Sequence, residues 1–105
     1  MYNGVSTDKL NVTSGLTPDN IPYVRVAGVY PFDAASTFEC GQCFRFDRVS
    51  GASLYPDIME SDVVYGGVAL GKYINVSSPD MNTVIIEGSD EADFNSMWRH
   101  YFQLD

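Results

Sequence analysis

Positive charge is scarce in this sequence. Six Lys and Arg stand against fourteen Asp and Glu, a formal net charge of -8. Gripping a phosphate backbone calls for clustered cations that release counterions. The one local basic pair is Arg45 and Arg48, with Asp47 between them. If the domain meets nucleic acid, most of the phosphate grip has to come from elsewhere. Long apolar runs are missing too: nothing approaches the roughly 18 consecutive apolar residues a membrane helix requires. The polar start MYNGVSTDKLNVTSG lacks the apolar core of a secretory signal, so a cytoplasmic location is expected. Chemistry-bearing residues are few. There is one histidine, His100, and the only side-chain amines are Lys9, in a loose lead-in, and Lys72, at a hairpin tip. Neither lysine is in a setting that desolvates and activates an amine.

What remains is a globular composition of 45% hydrophobic and 19% charged residues over 105 positions, enough for a single core. Residues 1–22 have little periodicity and read as an N-terminal extension, with the domain proper at 23–105. Tyr23–Val29 is β-branched and reads as a strand. Asp33 is placed to cap a short helix over 34–40, and Gly41 falls where a helix C-terminal left-handed residue is common. Cys43–Val49 alternates with period two, Phe44 and Phe46 on one face and Arg45 and Asp47 on the other. Strands are expected near 62–70 and 72–76, joined by a tight hairpin at Gly71, then a loop at 77–82 and an apolar strand at 83–87. Gly66-Gly67 inside a strand points to a bulge or a close backbone approach. The last segment is the clearest helix: Ser89 or Asp90 caps it, and Phe94, Met97, Trp98, Tyr101 and Phe102 form one apolar stripe. The order of elements predicts an α+β domain with an antiparallel sheet.

Cys40 and Cys43 have the spacing of a redox dithiol or half a zinc site. A redox thiolate is favoured at a helix N-terminus, whereas this pair lies at a helix end and a strand start. A zinc site needs four ligands, and the remaining candidate, His100, is distant in sequence. Small buried residues among Phe38, Phe44 and Phe46 is the preferred reading, with redox and metal roles as the alternatives. No catalytic constellation assembles.

The run Phe32-Asp33 … Thr37-Phe38-Glu39-Cys40-Gly41-Gln42-Cys43-Phe44-Arg45-Phe46, read with the closing Tyr101-Phe102-Gln103-Leu104-Asp105, resembles the N-terminal domain of 8-oxoguanine DNA glycosylases. That family carries Gly-Gln-x-Phe-Arg-Trp at the first place and Tyr-Phe-x-Leu-Asp at the second. Phe46 stands where the family has Trp, and the link from Ser50 to Asp62 looks longer than a simple hairpin. The resemblance implies a twisted antiparallel β-sheet with flanking helices, TATA-binding-protein-like. It further implies a following helix-hairpin-helix domain, absent from this chain, that carries the lysine nucleophile, the catalytic aspartate and nearly all DNA contacts. No catalytic residue, cofactor or metal is then expected here. The implied partners are damaged double-stranded DNA, met through the full-length protein as a monomer, and the helix-hairpin-helix domain. The implied location is the bacterial cytoplasm with its nucleoid, or a eukaryotic nucleus. Gly41 is the implied lesion reader, supported by Cys40, Gln42, Cys43, Phe44, Arg45 and Phe46. A thiol-redox protein using Cys40 and Cys43, or an acidic interaction module with Trp98 and Phe102 exposed, are the competing readings.

Overall fold

The computed structural model describes residues 10–39, 46–49, 55–61, 63–102 and 104. Six strands form one antiparallel sheet in the order β1-β2-β6-β5-β4-β3. They are β1 (Asn11–Leu16), β2 (Pro22–Ala27), β3 (Asp47–Arg48), β4 (Tyr65–Ala69), β5 (Lys72–Asp80) and β6 (Thr83–Glu87). Two short helices interrupt them, α1 (Ala34–Glu39) and α2 (Pro56–Met59). A C-terminal helix closes the fold in three consecutive turns, α3 (Glu91–Asp93), a wider π-type segment (Phe94–Trp98) and α4 (Arg99–Tyr101). The α+β class with an antiparallel sheet is as expected.

The alternation in β2 buries Val24 and Val26. Each is matched across the ladder, Val24 with Ile86 and Val76, Val26 with Val84. β6 is buried at every position because it lies inside the sheet with both faces covered, which is why its sequence is an unbroken apolar run rather than an alternation. On the first face, α1 and the C-terminal helix complete a core with Phe32, Phe38, Phe46, Phe94, Trp98 and Phe102. On the opposite face, Ile85 packs with Met59 and Val64 in a second, smaller cluster.

Several local signals act as expected. Asp33 caps α1: its Oδ1 accepts from the Ala35 N–H at 3.3 Å and its Oδ2 from the Ser36 hydroxyl at 2.9 Å. Asp90 caps the C-terminal helix, accepting from the Asp93 N–H at 2.7 Å. The β4–β5 hairpin turns through Leu70 and Gly71, at φ 53° and 79°, the two left-handed positions a tight two-residue hairpin calls for. Gly66 differs from the expected bulge or backbone approach: the β4–β5 register runs through it without a shift, and what comes close is side chains. A Cβ there would lie 2.6 Å from Asn75 Oδ1 and nearer still to the Tyr73 hydroxyl.

Others differ. Residues 11–16, read as part of a loose lead-in, form β1, paired along its whole length with β2. Its polar, exposed sequence hides the strand because it is an edge whose stability comes from backbone pairing. The loop expected over 77–82 is mostly strand: β5 runs to Asp80, with its register against β6 shifting between Ser77 and Asp80. The Ser78-Pro79 turn signal thus marks a bulge, where a proline is tolerated, and Ser78 Oγ there accepts from the α1 Ala34 N–H at 2.9 Å. The irregular link at 55–57 holds α2, whose Met59 is fully buried.

Candidate functional site

The motif-bearing stretch enters from α1 and leaves into β3. On the entry side, Phe38 in the last turn of α1 points into the core, 5% exposed. On the exit side Phe46 is equally buried and Asp47 faces solvent, but Arg48, on the same parity as Phe46, is exposed too, so the expected period-two alternation does not continue past Asp47. The Phe38 and Phe46 rings stack at 4.7 Å with planes 15° apart. Tyr65 of β4 tilts against Phe38 at 5.3 Å. Phe102 meets both stacked rings edge-on, at 5.8 Å and 6.1 Å, and stacks on Trp98 at 5.9 Å. Phe38 and Phe46, the described aromatics on either side of 40–45, therefore meet in one cluster.

Of the residues singled out in the sequence, Cys40, Gly41, Gln42, Cys43, Phe44 and Arg45 lie outside the described residues. Phe46 is described, and it is buried in the core. Sequence reasoning put Phe102 in the helical core stripe and Phe38 beside the cysteines without pairing either with Phe46. The signal was an aromatic at each end of a short glycine-bearing segment. The interaction-module reading looked for exposed Trp98 and Phe102. Both are buried, at 0% and 6% exposure, because the helix spends its apolar stripe on its own sheet.

Two of the described cations are engaged in ion pairs, while Arg48 is exposed. Arg25 makes a two-pronged pair with Glu60, Nε–Oε2 2.6 Å and Nη2–Oε1 3.2 Å. Lys72 pairs with Asp93 at 2.8 Å. The hydrogen bond to the carboxylate is the main cause that raises each basic group above its ordinary pKa, so Lys72 is held as an ammonium and is a poor nucleophile. Lys9 lies outside the described residues. His100 is exposed on the last helical turn. Among the described residues no group of three or more His, Cys, Asp or Glu could hold a metal ion. No helix among them is long and apolar enough to cross a membrane.

Comparison with known proteins gives a consistent picture. The family model for the 8-oxoguanine DNA glycosylase N-terminal domain matches residues 26–105. Among solved structures, that of MBOgg1 in complex with a low-affinity DNA ligand is similar over 91% of this chain, with 33% identity and a TM-score of 0.69. The apo form of the Clostridium acetobutylicum 8-oxoguanine glycosylase/lyase is similar over 91% of the chain, with 26% identity and a TM-score of 0.67. The chain spans 27% and 28% of those two proteins. No curated protein matches the chain.

Proposed function

The chain belongs to the family of 8-oxoguanine DNA glycosylase N-terminal domains, and on that premise we propose that it is the lesion-reading part of a glycosylase/AP lyase acting on oxidised guanine. The observation that carries the proposal is the family match over 26–105, which includes both the Gly41-Gln42 motif and the Tyr101-Phe102 terminus. Under this reading Gly41 contributes a backbone carbonyl to the flipped base, and Cys40, Gln42, Cys43, Phe44, Arg45 and Phe46 hold that carbonyl in place. Guanine presents a lone pair at N7, whereas the oxidised base carries an N–H there. A carbonyl accepts a hydrogen bond from the lesion but faces another acceptor on guanine. That buried mismatch costs about 1–3 kcal/mol, roughly one to two powers of ten in affinity. A residue without Cβ lets the backbone come close enough to a flipped base for such a reading.

The division of labour follows from the charge. An acidic domain of net charge -8, with Arg25 and Lys72 each paired to a carboxylate, suits base reading and leaves phosphate contacts to a following helix-hairpin-helix domain. That domain would also supply the lysine for Schiff-base excision and β-elimination. The TATA-binding-protein-like form of the sheet, monomeric action on damaged duplex and work wherever the genome resides belong to the same proposal.

The test is Gly41→Ala in the full-length protein. The expected result is a tenfold or greater loss in preference for an 8-oxoguanine duplex over a guanine duplex, with nicking of preformed abasic sites retained. An unchanged preference would remove Gly41 from the reading. The 105-residue chain alone is expected to release no base, and measurable excision by it would place catalysis in this domain.

A further inference from the structure

We propose that the outer edge of β1 is a docking site for an extended, basic peptide segment of a partner protein, taken up as a further antiparallel strand of the sheet. The backbone hydrogen bonds fix which groups of β1 face outward. The Thr17 N–H donates to the Ile21 carbonyl at 2.9 Å, and these two residues continue the β1–β2 register. Bonded pairs recur at every second residue of an antiparallel ladder, so Gly15, Thr13 and Asn11 bond to β2. The far side of β2 agrees. There the Gly28 N–H donates to the Asn82 carbonyl and the Gly88 N–H to the Pro22 carbonyl, which leaves Tyr23, Arg25 and Ala27 for β1. Val12, Ser14 and Leu16 therefore turn their N–H and C=O groups away from the sheet. Among the described residues nothing pairs with them.

Sheet edges are usually blunted by a charge, a proline or a bulge. The β1 sequence NVTSGL has neither charge nor proline, and its register with β2 runs without a shift. What it presents instead is an apolar notch. Val12 is half-buried against the first core. Leu16 has the same parity and so lies on the same face, 63% exposed, with the small Ser14 between them. An added strand would seat an apolar side chain over Ser14 and cover Leu16 with its neighbour. The surroundings select the charge of the guest. α3 lies against β1, and Asp90 and Glu91 at its start are exposed. Arg25, opposite Thr13, is neutralised by Glu60. A second copy of this chain, itself at -8, would bring like charge to that border. A segment with Lys or Arg flanking alternate apolar residues complements it.

The probe is a capped synthetic peptide, KVTVTVK, added to the full-length protein. In the free protein the Val12, Ser14 and Leu16 amides are expected to exchange hydrogen fast, and saturating peptide to slow them about tenfold or more. Ser14→Pro removes one outward N–H, at the kind of edge position where proline is tolerated. It is expected to weaken binding about tenfold with the melting temperature nearly unchanged. Should that variant fold poorly, KVTVTVK N-methylated on its three valines tests the same contact on the parent protein, with the same loss expected. The acidic counterpart EVTVTVE is expected to bind about fivefold more weakly or worse, and Glu91→Gln to narrow that gap. The proposal is overturned if millimolar KVTVTVK leaves the three amides unchanged, or if they are already protected in the free protein, since the chain then covers its own edge. It is equally overturned if the N-methylated peptide or EVTVTVE binds as tightly as KVTVTVK. A dimer in sedimentation that Ser14→Pro dissolves would overturn it too, giving the edge to a second copy.

Discussion

The two faces of the sheet are built on different physics. The first carries Val24, Val26, Ile74, Val76, Val84 and Ile86 under α1 and the C-terminal helix, in one core with seven buried aromatic side chains, Tyr65 of β4 among them. Each such burial contributes on the order of 1.5–3 kcal/mol, with a few polar contacts, such as Ser78 to the Ala34 N–H and Lys72 to Asp93, at the rim of that face. The second face has a buried apolar trio, Met59, Val64 and Ile85, beneath a four-residue helix. A helix of that length has no stability of its own. It is held by named polar contacts: the Ser77 hydroxyl donates to the Met59 carbonyl at 2.6 Å, Arg25 pairs with Glu60, and the Tyr55 hydroxyl donates to Asp19. The first face makes the fold, and the second attaches a segment to it. Phe38 and Phe46, the described residues that flank 40–45, belong to the first.

Trp98→Ala should therefore produce the largest loss, about 3–5 kcal/mol by chemical denaturation, since the side chain is fully buried. Trp98→Phe should cost far less. Among the described residues the indole Nε1 is buried with no hydrogen-bond partner, and removing an unpaired N–H recovers part of a penalty of about 1–3 kcal/mol. Met59→Ala is the matching cut on the second face. It should cost about 2–3 kcal/mol, the low end for a buried methionine, because the cavity opens into a small cluster. A Met59→Ala loss as large as that of Trp98→Ala would make the two faces energetic equals.

The same contrast explains what the sequence made legible. Wherever apolar periodicity decides the outcome it was readable: the buried alternation of β2, the continuous apolar run of β6, the Phe94–Trp98–Phe102 stripe and the inward Phe46. Local chemistry was equally plain at Asp33, Asp90 and Gly71. What periodicity could not show was structure created by pairing or by polar contacts across long stretches of chain. β1 is polar and stands as a strand through β2. The Ser78-Pro79 signal reads as a loop until β6 lies beside it. α2 lies where the chain seemed irregular because Ser77 and Arg25, distant in sequence, receive it. Gly41 entered the proposed site through a family likeness alone, and residues 40–45 lie outside the described residues. The ring pair that flanks them became visible only when Phe38 and Phe46 were seen stacked.

A smaller effect tests whether the second face is fastened at a cost. Glu60 follows α2 with φ 56°, a left-handed conformation that costs a residue with a Cβ about 1–2 kcal/mol. Its exposed pair with Arg25 returns about 0.2–1 kcal/mol. Strain therefore outweighs the ion pair. Glu60→Gly should be neutral to about 1 kcal/mol more stable in a denaturant titration, while Glu60→Ala, which keeps the strain and loses the pair, should be less stable by up to about 1 kcal/mol. A clear loss in the glycine variant would give the ion pair the larger share.

The smallest expected effect concerns pH. The hydrogen bond to Asp19 is the main cause that raises the Tyr55 phenol above its ordinary value, with some desolvation and nearby negative charge, Glu87 included, adding to it. A pKa raised in the folded state means the protonated phenol is the form that folding favours. The contribution is thus fully present below the ordinary phenol value of roughly 10 and is lost as pH rises through the folded value. Asp19 sits in the β1–β2 turn, where Thr17 Oγ1 accepts from the Asp19 and Ile21 N–H groups at 3.2 Å and 3.1 Å, so the carboxylate is presented to Tyr55 by the strand pair itself. Asp19→Asn should bring the Tyr55 titration, followed by ring chemical shift, back toward the ordinary value and remove the extra alkaline loss of stability, with a small loss at neutral pH where the hydrogen bond is fully present. If the titration of Tyr55 stays high in Asp19→Asn, the turn does not hold α2. The second face then rests on Met59, Ser77 and the Arg25–Glu60 pair.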